Sequence, residues 1–217
     1  MSRDPTRAAT QFFGGRVCLD FANTIDWRTS EEPQELLPDY AALLSWSKTR
    51  GILLARTVTQ LQAHAATRAA AAAAAMREAH ALRSDILVTV EALSRGSSAP
   101  LATINRWLTA LPAQPRLVRN SAAYAHDMPG AALEEPLWPV LWSLAALLTS
   151  DDAARVGCCR AHGCGWYFVD ESPNRSRVWC SNDACGNRVR AQRAYAKRRS
   201  KALVSAAPHP GAAAKRR

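Results

Sequence analysis

Apolar and polar residues alternate along FFGGRVCLDFANT, residues 12–24, behind a Gly-Gly pair, and this pattern predicts a strand or hairpin. Further on, the period lengthens to that of a helix. In PDYAALLSWSKTRGIL, residues 38–53, Tyr40, Leu43, Leu44 and Trp46 fall near helical spacing, and Gly51 is a natural stop. The alanine-rich stretch from residue 63 predicts one long helix to about Arg95, closed by Gly96. Residues 99–112 form an amphipathic helix with Leu101, Ile104, Leu108 and Leu111 on one face, ended by Pro112 and Pro115. RLVRN, residues 116–120, is a short strand, and residues 135–150 form an apolar helix that crosses the core. The fold class is mainly α with minor β: a helical N-terminal domain with an edge hairpin, followed by a small module of different character. No internal repeat is found.

Charge separates the two parts. The chain of 217 residues carries a formal +10. Residues 1–150 hold 14 Lys and Arg against 13 Asp and Glu, whereas residues 151–217 hold 14 against 5. A neutral body thus carries a basic appendage, which points to a polyanionic partner, nucleic acid before an anionic membrane. The N-terminus has no signal-like apolar core, and the longest apolar stretch, residues 137–148, is too short to span a bilayer. A soluble, cytoplasmic protein is expected, in which six cysteines are thiols or metal ligands rather than disulfides.

Four of those cysteines form two pairs, Cys159 with Cys164 and Cys180 with Cys185. Each pair encloses four residues, and fifteen residues separate the pairs. Two thiolates from each of two tight turns make a tetrahedral zinc site. Between the pairs the residues predict a strand at 166–169, a polar turn at 170–176 and a returning strand at 177–179, after which the last cysteine opens a helix. Knuckle, hairpin and helix are the order of a treble-clef-like ββα zinc module. Cys158 and His162 are alternative ligands, and Cys159 is preferred because its spacing to Cys164 repeats that of the second pair. Four thiolates saturate zinc, so one structural ion per chain is expected, with no open position for catalysis. Metal loss is expected to melt residues 157–200 and leave the helical domain folded. Asn187 is a candidate cap or ligand-orienting residue, and Asp170 a partner for Arg188 or Arg177.

CRAHGCGWYFVDESPNRSRVWC followed by SNDACGNRVRAQRAYAKRR, within a span of about residues 157–199, resembles the CGNR zinc finger, named for the residues at 185–188. The N-terminal GGRVCLDFANT resembles the start of the ABATE domain that usually precedes this finger. The resemblance implies a regulator of transcription under stress. Asn182 stands where the family has Met, and Arg190 where Lys is usual. The resulting division is a leader at 1–10, an ABATE-like domain at 11–150, a finger at 151–200 and a basic tail at 201–217.

After the finger's last cysteine, Arg190, Arg193, Lys197 and Lys201 share one helical stripe. Arg188, Arg190 and Arg193 lie near the helix start, where the helix dipole disfavours cations, so their placement implies a use. Arg188, Arg190, Arg193 and Lys197 are therefore the candidate contacts to duplex DNA. RNA binding, or a zinc-stapled protein-interaction module, is the alternative. In the N-terminal domain, Asp20, Asn23 and Arg83 set polar groups among apolar ones and are candidates for a cavity that binds a small effector. A turn in which Asn23 or Thr24 caps and Asp20 is salt-bridged is the competing reading. No nucleophile–base pair, paired acids or complete phosphate loop is found, so an enzyme is not expected.

Overall fold

The computed structural model describes residues 10–111, 116–120, 123–127 and 132–205. They form two compact units, one ending at Cys180 and the other beginning at Ser181. The leader before residue 10 and the tail beyond residue 205 lie outside the described residues.

The segment expected to be a strand is instead a short helix, α1 (Val17–Ala22), whose Cys18, Leu19, Phe21 and Ala22 are all fully buried. A short apolar run reads alike as a buried strand or a helix sunk on every side. The Arg16 carbonyl decides the matter locally, accepting the N–H groups of Leu19 and Asp20 at 3.1 and 2.9 Å. Two short strands follow, β1 (Ile25–Asp26) and β2 (Gln34–Glu35), paired antiparallel.

Helix α2 (Tyr40–Arg50) follows the expected pattern: the Asp39 carboxylate accepts the Ala42 N–H at 2.8 Å, and Gly51 ends it. The single long helix is two, α3 (Ala55–Thr67) and α4 (Ala69–Ser94), separated at Arg68, whose backbone is non-helical. No glycine or proline marks this break. Each helix buries its own stripe, Val58 and Leu61 on α3, and Ala72, Ala75, Ala79, Leu82, Ile86 and Val90 on α4. Helix α5 (Leu101–Thr109) buries Ile104 and half-buries Trp107 and Leu108, but Leu101 is exposed, so its apolar face begins one turn later than expected. Strand β3 (Arg116–Asn120) occurs as expected and pairs antiparallel with β4 (Ala123–Asp127), a strand the sequence pattern does not announce.

A single 3-10 turn (Glu135–Leu137) leads into α6 (Trp138–Leu148), with Pro139 in the first turn, where no N–H donor is needed. Helix α1 packs against α6 and α4 at the centre of the unit. A second 3-10 turn (Asp151–Arg155) then enters a hairpin of β5 (Val156–Cys158) and β6 (Tyr167–Val169), paired Val156 with Val169, Gly157 with Phe168 and Cys158 with Tyr167. The partner of β6 is thus the segment before the knuckle. The expected returning strand at 177–179 does not form. In its place the Arg177 guanidinium donates to the carbonyls of Val169, Trp179, Cys180 and Phe13 at 2.6 to 3.1 Å. A side chain thereby satisfies carbonyls that a ladder would otherwise have to serve. Val156, Tyr167 and Val169 pack in one core with Leu19, Phe21, Leu82 and Leu144.

In the second unit the Ser181 hydroxyl accepts the Ala184 N–H at 3.2 Å and starts a wide helical turn (Asn182–Gly186) that continues into α7 (Asn187–Ser205). Residues 201–205, expected in the tail, belong to this helix. The helical turn opens at Ser181, ahead of Cys185, and the cap is Ser181 rather than Asn187.

Candidate metal centre and basic helix

The sulfur atoms of Cys159, Cys164, Cys180 and Cys185 all lie within 4.8 Å of one another, and all four side chains are buried. A zinc ion bound tetrahedrally by thiolates at about 2.3 Å sets its sulfurs roughly 3.8 Å apart. The Cys164 and Cys180 sulfurs are 3.7 Å apart, a spacing that fits shared coordination and is far too long for a disulfide. The residues fit one structural zinc. Cys158 stays outside the cluster, with its thiol pKa raised chiefly by burial, and His162 is exposed and also outside it. The spacing argument for Cys159 over Cys158 therefore holds.

The first knuckle is shaped from within its own unit. Gly163 and Gly165 have left-handed backbones, with φ of 78° and 66°. A Cβ at Gly163 would meet the Trp27 ring at 2.7 Å, and one at Gly165 would meet Thr29 Cγ2 at 2.5 Å. Only glycine fits either place. The Arg28 guanidinium donates to the Gly165 carbonyl at 2.6 and 3.1 Å, and the Trp166 indole N–H donates to the Ile25 carbonyl at 3.1 Å. Asn23 completes the arrangement. Its amide donates to the Tyr167 carbonyl and its oxygen accepts the Tyr167 N–H, both at 2.8 Å, so one side chain serves as a neighbouring strand. The Gly14 carbonyl accepts the Val169 N–H at 2.9 Å. Asp170 holds the turn that follows, accepting from the Ser172 N–H and hydroxyl and from the Arg177 N–H. Burial pushes the Asp170 carboxyl up, but these hydrogen bonds outweigh it and hold its pKa below the ordinary value.

A family model described as "Putative stress-induced transcription regulator", ABATE, matches residues 15–151, and a second, the CGNR zinc finger, matches residues 155–198. The chain belongs to the ABATE family. It carries a CGNR finger after the ABATE domain, as its motifs imply. Comparison with curated proteins finds no match. Asn23 of LDFANT thus has a visible task in this ABATE protein: it holds β6, the strand that follows the first finger cysteines. Arg28 shares that task, and no local pattern in the sequence marks it, because the Gly165 carbonyl it serves lies far along the chain; the same distance separates Arg177 from the Phe13 carbonyl.

The CGNR motif itself divides its work. Arg188 donates to the Cys185 sulfur at 3.5 Å, placing positive charge beside a ligand thiolate. Arg190 donates to the Asn187 side-chain oxygen at 2.6 Å and to the Asn182 carbonyl at 3.3 Å, while remaining exposed. Asn187 therefore orients Arg190 rather than capping the helix. Arg193 and Lys197 are exposed, as is every residue from 191 to 200.

Asp20, Asn23 and Arg83 are all buried, and the structure gives each a partner inside the fold. Asp20 accepts the Gly14 N–H at 2.8 Å and pairs with Arg50 at 2.7 Å. Arg83 donates to Thr24 Oγ1 and to Glu35 Oε1, both at 2.8 Å, and also pairs with Glu35 Oε2. With Asn23 committed to Tyr167, all three are occupied by the protein; Asp20 is salt-bridged as the competing reading has it, whereas the Asn23 side chain clamps a strand rather than capping. A cavity lies elsewhere in the ABATE domain. It has a volume of about 250 Å³ and is lined by residues of α4, α5, the turn before α6, and α6. No helix among the described residues is long and apolar enough to cross a membrane.

Proposed function

We propose that this ABATE protein is a non-catalytic, cytoplasmic regulator of transcription that binds duplex DNA through α7, with its finger stapled by one zinc. The observation that carries this reading is the charge of α7. Arg188, Arg190, Arg193, Lys197, Arg198, Arg199 and Lys201 lie on it with no acidic residue, and its side chains from 191 to 200 are all exposed. A helix of one sign of charge, exposed at every residue from 191 to 200, matches a phosphate backbone. Arg188 is engaged by the metal site, so contact falls mainly to Arg190, Arg193 and Lys197. Tyr195, 69% exposed, adds an aromatic surface beside them.

A salt titration by fluorescence anisotropy tests this. With about four to six phosphates neutralised, log K against log salt is expected to slope by about −4 to −5. Replacing Arg190 and Arg193 with alanine is expected to flatten the slope by roughly two while zinc content stays unchanged. Preference for RNA in a parallel titration would favour the alternative polyanion. Absence of salt-dependent binding to either would leave a protein-interaction module.

We further propose that the helical domain senses a small molecule. Asp20, Asn23 and Arg83 lend this no support, since each is committed internally; the cavity between α4, α5 and α6 does.

A further inference from the structure

Resting on that sensing reading, we infer that the effector is an organic cation with an apolar body, held between two indole rings and two carboxylates in the cavity. Trp107 and Trp138 line it, together with Leu111 and Leu141, and Glu78 and Glu134 supply its charge. Trp138 is buried and Trp107 half-buried, so the aromatic wall is built into the fold rather than lying loose on the surface. The Trp107 indole N–H donates to Asp85 Oδ2 at 2.7 Å, which fixes the ring and adds a third carboxylate nearby.

The two glutamates come from distant parts of the chain and converge without a shared counter-ion. Burial raises the Glu78 carboxyl, and Glu134 raises it further, while Arg77 opposes. Neither glutamate forms an ion pair with another described residue. Two like charges brought together at an aromatic cavity are relieved by a cation, and an indole face attracts the same cation through its quadrupole. A metal ion is a poor fit, because two carboxylates among indoles and leucines offer too few oxygens to replace its hydration shell. A neutral apolar ligand leaves the repulsion between Glu78 and Glu134 unrelieved within the cavity. Ligand pockets commonly hold about 300–1,000 Å³, so a cavity of about 250 Å³ suits a compact ligand of about ten to fifteen heavy atoms.

The test uses a pair of probes alike in shape and different in charge, 3-hydroxyphenyltrimethylammonium and the neutral 3-tert-butylphenol, titrated calorimetrically into the zinc-loaded full chain. The cation is expected to bind about tenfold more tightly than its neutral counterpart. In the double variant Glu78→Gln, Glu134→Gln the preference is expected to vanish, and Trp107→Leu is expected to weaken both probes. Circular dichroism of each variant confirms an unchanged fold. Equal affinity of the wild type for both probes, or a preference that survives in the double variant, would overturn the cationic assignment while leaving an effector cavity. Binding of neither probe would overturn the assignment and the sensing reading together.

Discussion

Asn23 shows how one side chain can do the work of a strand. Its amide meets both the donor and the acceptor of Tyr167, and the pair is buried. Asn23→Ala strands two backbone groups, and each costs about 1–3 kcal/mol when buried without a partner, so a loss of about 2–6 kcal/mol is expected in urea denaturation. Asn23→Asp keeps only the acceptor and is expected to recover part of that loss. Equal stability of wild type and Asn23→Ala would mean that the clamp is dispensable. Titration separates the two ion pairs of the same region, each of which has one buried member. Burial raises the Glu35 carboxyl, but the Arg83 hydrogen bonds and charge overcome this, and its pKa lies below the ordinary value. Its stabilisation is therefore complete above the unfolded pKa of about 4.3 and is lost as pH falls through the depressed folded value. The stability gap between wild type and Glu35→Gln should be widest near neutrality and close in acid. Asp20 behaves oppositely: burial raises its pKa in spite of Gly14 and Arg50. The stability of wild type relative to Asp20→Asn should fall as pH rises from about 3.9 to the raised folded value. Chemical denaturation across pH 3 to 7 checks both signs.

Among the elements, those set by local chemistry were the legible ones. The ligand cysteines repeat a tight turn, and their spacing alone separates Cys159 from Cys158. Helix α2 announces itself through its apolar spacing and Gly51, both within one short window. Helix α1 does not, because five consecutive buried residues, Cys18 to Ala22, carry no period. Nor does the break at Arg68, where two helices must bury different stripes, a demand made only by the assembled core. The strand expected at 177–179 fails for a similar reason: Arg177 serves carbonyls as distant in sequence as Phe13, which no window contains. Helix α7 was legible as a basic stripe, and its exposure carries a further expectation. Arg193 with Lys197, and Lys197 with Lys201, place like charges four residues apart, each opposing the helix by about 0.2–0.5 kcal/mol. Amides at 191–200 should therefore exchange quickly in the free protein and slow markedly on duplex DNA, which relieves the repulsion. Hydrogen exchange with and without DNA reads this directly; fast exchange in both states would place the contact elsewhere.

On the scale of the whole molecule, the metal hairpin and the helices share one core, since Val156, Tyr167 and Val169 pack in one cluster with Leu19, Phe21 and Leu82. The expectation that metal loss spares the helical domain gives way to another. Zinc contributes on the order of 10–16 kcal/mol where it organises a finger, comparable to the entire stability of an ordinary domain at about 5–15 kcal/mol. Cys164→Ser, or chelation, should therefore lower the thermal midpoint of the helical signal together with that of tryptophan fluorescence, in one transition. A helical signal that persists unchanged without zinc would show the two parts to be independent. The same clamp governs how far these parts can be recombined. A finger excised at residue 155 would leave behind Asn23, Ile25 and Arg28, and would expose the edge of Tyr167 and the indole of Trp166 to any strand that could pair with them. Such a fragment would be prone to self-association, and a chimera that grafts this finger onto another body would have to carry residues 13–30 along as its second half.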